Sequence, residues 1–181
     1  MRQLLCFFVL LMSFSAYAEN EPVVLKVDGV GHMRMDTVAA TLTTGTVPAM
    51  CFDVDLIDMS TGLKIGSATD CLSEIVEHEL DNGMAVVATT TFTLPDGSAT
   101  VRTLVSVQPV SDSEDFIDSS GRMYTHMSGA IGDRSAVIDS TGSLQGISGT
   151  GRLSGLLDMS HFNEQEGDII IFNCLFEIYL D

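Results

Sequence analysis

The chain has 181 residues, of which 25 are Asp or Glu and 8 are Lys or Arg, for a formal charge of −17 at pH 7. A surface that acidic repels nucleic acid and anionic lipid, so neither is expected as a partner. The absence of tryptophan argues against a Trp-lined sugar or quaternary-ammonium cage. The ordinary meaning of the charge is solubility; the sharper one is a cationic partner or Ca²⁺.

Met1 to Ala18 reads as a secretory leader. Arg2 supplies the positive start, Leu4 to Met12 the apolar run, and Ala16-Tyr17-Ala18 a small-x-small cleavage site before Glu19. The run is too short to span a bilayer comfortably and no second long apolar run follows, so no membrane insertion is expected. Cys6 lies well before the cleavage point, which disfavours a lipid-anchored cysteine. The expected organisation is a signal peptide over 1–18 and one domain over 19–181, exported to the periplasm or beyond. Losing Arg2 leaves seven basic residues against 25 acidic ones. The remaining length suits a single domain with a real core.

After the leader, period-two alternation predominates. Val23 to Met35 predicts a first strand, weakened by Gly29 and Gly31. In Met50 to Leu56, the side chains of Phe52, Val54 and Leu56 share one face, and Cys51, Asp53 and Asp55 the other. Met59 to Gly62 is a turn, and Lys64 to Leu72 returns. Ser73 to Leu80 is ambiguous, because Ile75, Val76, Glu79 and Leu80 also fit one helical face before the hairpin signal Asn82-Gly83. Met84 to Leu94 and Ala99 to Val110 form the clearest hairpin, turning at Pro95-Asp96-Gly97-Ser98. A polar acidic loop over 111–121 precedes strands at Met123 to Ile131, Ser135 to Ile138, Gly151 to Met159 and Asp168 to Leu180.

This pattern predicts an all-β fold with about eight strands, either a sandwich or a barrel. The apolar terminal strand around Ile169 to Phe176 would be a hazardous open edge. Closure removes edges, so a single antiparallel eight-stranded barrel is the expectation. Four glycines between Gly142 and Gly151, with Gly155 beyond, fit the bends such a wall needs.

Three cysteines follow the leader, so one disulfide and one free thiol are expected in an exported chain. Cys71 and Cys174 would pair if barrel closure made their strands neighbours. Cys51 and Cys71 are the rival pair, since they flank one hairpin. No CxxC spacing suggests redox or zinc chemistry.

Several residues could carry chemistry. Asp53 and Asp55 would line a cavity if their face turned inward, where burial and like charge raise a carboxyl pKa; the simpler alternative places them in water. Asp70 follows Gly66 and Ala68 on one face, small residues that would leave space above them. A buried pair of Asp70 with Arg102 could orient a ligand or lock strand register. His126 could be a general base or a hydrogen-bonded structural histidine. Tyr124 is one of two tyrosines after the leader and a candidate ligand contact. His32, His78 and His161 lack metal-ligand spacing, so no metal is expected. The loop carboxylates Asp112, Glu114, Asp115 and Asp118 lack the glycine-centred spacing of an EF-hand. Gly142 to Gly155 lacks the ending of a phosphate loop, Ser148 lacks a nucleophile elbow, and no cofactor is expected.

In order, Gly62-Leu63-Lys64-Ile65-Gly66-Ser67-Ala68-Thr69-Asp70-Cys71, then Thr89-Thr90-Thr91-Phe92-Thr93-Leu94 with Asp96-Gly97, then Thr141-Gly142, Gly146, Gly149, Gly151 and Ser154-Gly155 resemble the glycine-spaced strands of allene oxide cyclase-like and dirigent-like barrels. The resemblance spans roughly Met50 to Tyr179. It implies an eight-stranded antiparallel barrel with a cavity at one end, in a family where homo-oligomers are common. Plant members cyclise a fatty-acid epoxide or steer phenolic radical coupling, and neither residue set maps onto this chain, so activity transfer is analogy alone.

The leading expectation is an exported barrel that binds a small apolar or amphipathic molecule. The alternatives are an isomerase or cyclase acting on a reactive molecule in the cavity, and a structural barrel without ligand. Whether the chain is an enzyme stays open on the sequence.

Overall fold

Along Met84–Leu94, the side chains of Val86, Ala88, Thr90 and Phe92 are buried, and the intervening residues form the outer face. The same alternation runs through every long strand, so the period-two pattern becomes inside and outside of one curved wall. The computed structural model describes residues 22–77, 83–108, 121–122, 124–129 and 135–181. The expected leader over 1–18, His78 and the acidic stretch with Asp112, Glu114, Asp115 and Asp118 lie outside the described residues.

Nine antiparallel strands form one sheet among the described residues: β1 (Val23–Ala39), β2 (Thr46–Ile57), β3 (Lys64–Glu77), β4 (Met84–Leu94), β5 (Gly97–Gln108), β6 (Tyr124–Gly129), β7 (Ser135–Gly142), β8 (Gly149–His161) and β9 (Ile169–Leu180). The order β4-β3-β2-β1-β9-β8-β6-β5-β7 closes through an additional β4–β5 pairing. The result is a closed eight-position antiparallel barrel with one extra strand. β6 and β7 share the position beside β5: β6 pairs with Val105 to Gln108, and β7 with Gly97 to Thr103. β9 pairs with β1 on one side and β8 on the other, so the apolar terminal strand has no open edge.

The inward side chains form one contiguous apolar cluster that includes Phe52, Phe92, Phe172, Leu56 and Met127. Phe52 and Phe172 meet with ring centroids 5.5 Å apart, and Phe92 meets Phe176 edge-on at 4.9 Å. The interior of the barrel is therefore occupied by side chains.

The ambiguous stretch after Leu72 resolves as strand as far as Glu77. Val76 and Glu77 pair with Ala85 and Met84, and a register shift between Ser73 and Val76 accommodates Glu74 at φ 48°. The ladder to β4 satisfies backbone groups that the helical pattern of Ile75 and Val76 had competed for. The glycine run is used as a bend and a close approach. Gly142 ends β7 at φ 62°, and Gly155 faces Cys174 so closely that a Cβ there would overlap its Sγ.

The disulfide joins Cys51 to Cys71, not Cys71 to Cys174. Cys51 and Cys71 stand directly opposite each other in the β2–β3 register, with Cα atoms 4.0 Å apart. Their sulfurs lie on the outer side of the wall, packed with Ala49 and Val38. Cys174 sits on β9, whose neighbours are β1 and β8, and it is free, buried and inward-facing. Strand adjacency and side-chain parity both rule out the Cys71–Cys174 bridge. A disulfide fits an oxidising compartment.

Candidate ligand groove on the outer wall

Asp70 is the candidate that the fold turns inward. It is 3% exposed, and its Oδ1 accepts a hydrogen bond from Thr90 Oγ1 at 2.6 Å. Burial pushes its carboxyl up to about 6, against the opposing pull of the Thr90 bond. Its charge adds to the burial that pushes the inward Cys174 thiol up to about 12.

Arg102 does not pair with Asp70. On β5 the inward positions are Val101, Thr103 and Val105, which puts Arg102 on the outer face. In the register Asp70 stands opposite Thr90, whereas Arg102 stands opposite Thr89, so the barrel wall separates the two. The remaining candidates also lie away from the interior. Asp53 and Asp55 are exposed: Asp53 accepts from Thr69 Oγ1 at 2.6 Å and Arg34 Nε at 3.3 Å, and Asp55 pairs with Lys64 Nζ at 2.5 Å. His126 is exposed on β6. Tyr124 is half-buried, with its hydroxyl 3.3 Å from Arg122 Nη1. The structure thus gathers none of these residues around one centre.

What it does bring together is a groove that the sequence had not suggested. The tip of the β1–β2 hairpin, residues 40–45, reaches across the outer face of the sheet. Thr41 donates its backbone N–H to Glu74 Oε1 at 3.1 Å and its hydroxyl to Glu74 Oε2 at 2.5 Å. Arg102 Nη2 donates to the Ala39 carbonyl at 3.1 Å. The Thr41 bonds, with a smaller contribution from the Arg102 charge, hold the Glu74 carboxyl below its usual range. Between this tip and strands β4, β5 and β7 lies a groove of about 610 Å³, lined by Thr41, Leu42, Val87, Arg102, Leu104, Ser135, Ala136 and Ile138.

The lining is mostly apolar, and part of it is bare: Leu42 is 93% exposed and Ile138 42%. Arg102, which lines the groove, has a buried Nε with no hydrogen-bond partner. A signal for this groove exists in the sequence. Leu104 on β5, and Val87 on β4, are large aliphatic residues on the parity that otherwise carries small or polar side chains. Leu42 could not be found that way, because it sits in a turn with no strand parity.

No family model and no curated protein matches the chain. Two of the solved structures similar to it are cyclases by their own description. One is the Diels-Alderase AbmU from Streptomyces koyangensis, at 14% identity over 84% of this chain and 63% of that one, with a TM-score of 0.35. The other is a nonspecific heme-binding cyclase that catalyses a cycloaddition in neoabyssomicin biosynthesis, at 14% identity over 88% and 66%, also with a TM-score of 0.35. The chain spans less than two thirds of the length of either, and at this TM-score neither likeness bears on what it does.

Proposed function

We propose that this chain is an exported barrel that binds one small amphipathic molecule on its outer wall, between the β1–β2 tip and strands β4, β5 and β7. The observation that carries the reading is the set of aliphatic side chains around Arg102, whose buried Nε has no acceptor. A buried donor left without a partner costs about 1–3 kcal/mol, which a ligand acceptor would offset. Bare aliphatic surface beside it gives the rest of such a ligand a place to leave water. The interior, by contrast, is occupied by side chains such as Phe52, Phe92 and Phe172. The leader and the Cys51–Cys71 disulfide support export, and the ordered glycine motifs support kinship with allene oxide cyclase-type barrels without their chemistry.

The test is titration with a neutral fluorescent apolar probe, phenylnaphthylamine, together with native mass spectrometry of the exported protein. Saturable one-site binding that Ile138→Glu abolishes without lowering thermal stability supports the groove. Binding unchanged in Ile138→Glu overturns it.

A second reading, acid–base chemistry at Asp70, rests on its inward carboxyl, pushed up to about 6 by burial, and requires the side chains that fill the interior to part for a substrate. A ligand retained through native mass spectrometry, lost in Asp70→Asn and kept in Ile138→Glu, would favour this reading.

A further inference from the structure

Resting on the outer-groove reading, we propose that the groove selects an apolar monoanion, one carboxylate head on an aliphatic tail, and that Arg102 is the head-group donor. Lys26, Arg34, Lys64, Arg122 and Arg152 each form a salt bridge with Asp or Glu. Among the described basic residues Arg102 is the one in no salt bridge, its charge met only at longer range by Glu74. Its Nη2 is committed to the Ala39 carbonyl, which ties the guanidinium to the end of β1, just before the hairpin tip. Its Nε–H is the buried donor without an acceptor. In a chain with 25 acidic residues, a cation that lines an apolar groove and forms no salt bridge is a specific arrangement.

The chemistry of the occupant follows. A neutral alcohol could accept the Nε hydrogen bond but would leave the guanidinium charge unmatched in a partly desolvated place. A carboxylate answers the charge with a charge-assisted bond, and a small turn of the guanidinium would bring the buried Nε–H to it as well. A dianion or polyanion would exceed the one cation available and meet both Glu74 and the net charge of −17. Behind the head, Leu42, Val87, Leu104 and Ile138 supply an aliphatic bed. The groove volume of about 610 Å³ falls inside the range of roughly 300–1,000 Å³ common to small-molecule sites.

The experiment is calorimetric titration of the exported protein with decanoate and with decanol at neutral pH, in wild type and in Arg102→Gln. Wild type is expected to bind decanoate about tenfold or more tightly than decanol, the scale of one charge-assisted hydrogen bond. Arg102→Gln should bring decanoate down to the decanol level while decanol stays within about twofold of wild type. Equal binding of the two by wild type, or equal weakening of both in Arg102→Gln, overturns the anion assignment and leaves the groove standing. Wild type that binds neither, as when the groove is closed by the chain itself or by a protein, overturns both readings. Should Arg102→Gln fail to fold, decylammonium decides in the wild type: a groove whose head-group site is Arg102 should bind it more weakly than decanol, and binding as tight as decanol or tighter overturns the assignment.

Discussion

Thr90 Oγ1 donates to Asp70 Oδ1 at 2.6 Å across the β3–β4 pairing, inside the barrel wall. The bond favours the charged carboxylate, but burial opposes it more strongly, and the carboxyl rises from 3.8 to about 6. A buried acid with a raised folded-state pKa takes up protons on folding between those two values, so stability falls as pH rises through that window. Below the unfolded value both states are protonated and Asp70 costs nothing; above the folded value the cost is complete.

Asp70→Asn should therefore remove a pH-dependent penalty of up to about 3 kcal/mol. Urea titrations at pH values on either side of the window would show the wild-type midpoint falling with pH and the variant's midpoint falling less. Parallel curves for the two proteins would assign Asp70 an ordinary pKa.

The Cys51–Cys71 bridge ties directly opposed residues of β2 and β3 and underlies the base of the hairpin tip with Val38 and Ala49. The double variant Cys51→Ala, Cys71→Ala should lose about 3 kcal/mol by chemical denaturation, from the freed loop of the unfolded chain. Thiol counting gives a second check. Buried Cys174, with its thiol pushed up to about 12, should resist a disulfide reagent in the native protein and react once it is unfolded.

Ser135 closes the seam where β7 lies beside β8. Its Oγ accepts from Gly151 N at 2.8 Å and donates to the Gly151 carbonyl, holding both polar groups of one buried residue. Ser135→Ala should cost about 2 kcal/mol by leaving those groups unpaired. Amide exchange at Gly151 should speed up more than exchange in β9.

Gly155→Ala puts a methyl group into Cys174 Sγ, the Cys174 Cα and the Asn173 carbonyl. Because two of the three obstacles are backbone, the β8–β9 pair must shift, at about 1–3 kcal/mol. Cys174→Ala in the same chain should restore only part of the loss, as read from paired thermal melts.

Much of the barrel was legible along the chain. Val101, Thr103, Val105 and Val107 alternate so regularly that the hairpin with β4, and the outward placing of Arg102, follow from β5 alone. The expected Asp70–Arg102 pair fails on this parity, because Asp70 lies inward with Ala68, on the opposite side of the wall from Arg102. The same reasoning separates outward Cys71 from inward Cys174. Period-two patterning and the need to bury the edge of Ile169 to Phe176 were enough to call for an antiparallel barrel.

Other features were decided only in three dimensions. Parity says which way a side chain points, but not which residue of another strand it faces. That depends on register, which is offset by bulges such as those at Val27/Met33 and Ser73/Val76. Register put Cys51 against Cys71 and seated β6 and β7 end to end beside β5. The groove needed one step more, because Thr41 of the tip reaches Glu74 from 33 positions away and Ala39, at the end of β1, reaches Arg102 from 63. Strand periodicity carries no record of where a turn folds back onto the outer face, so Leu42 and the unpartnered Arg102 Nε became visible only once the wall had closed.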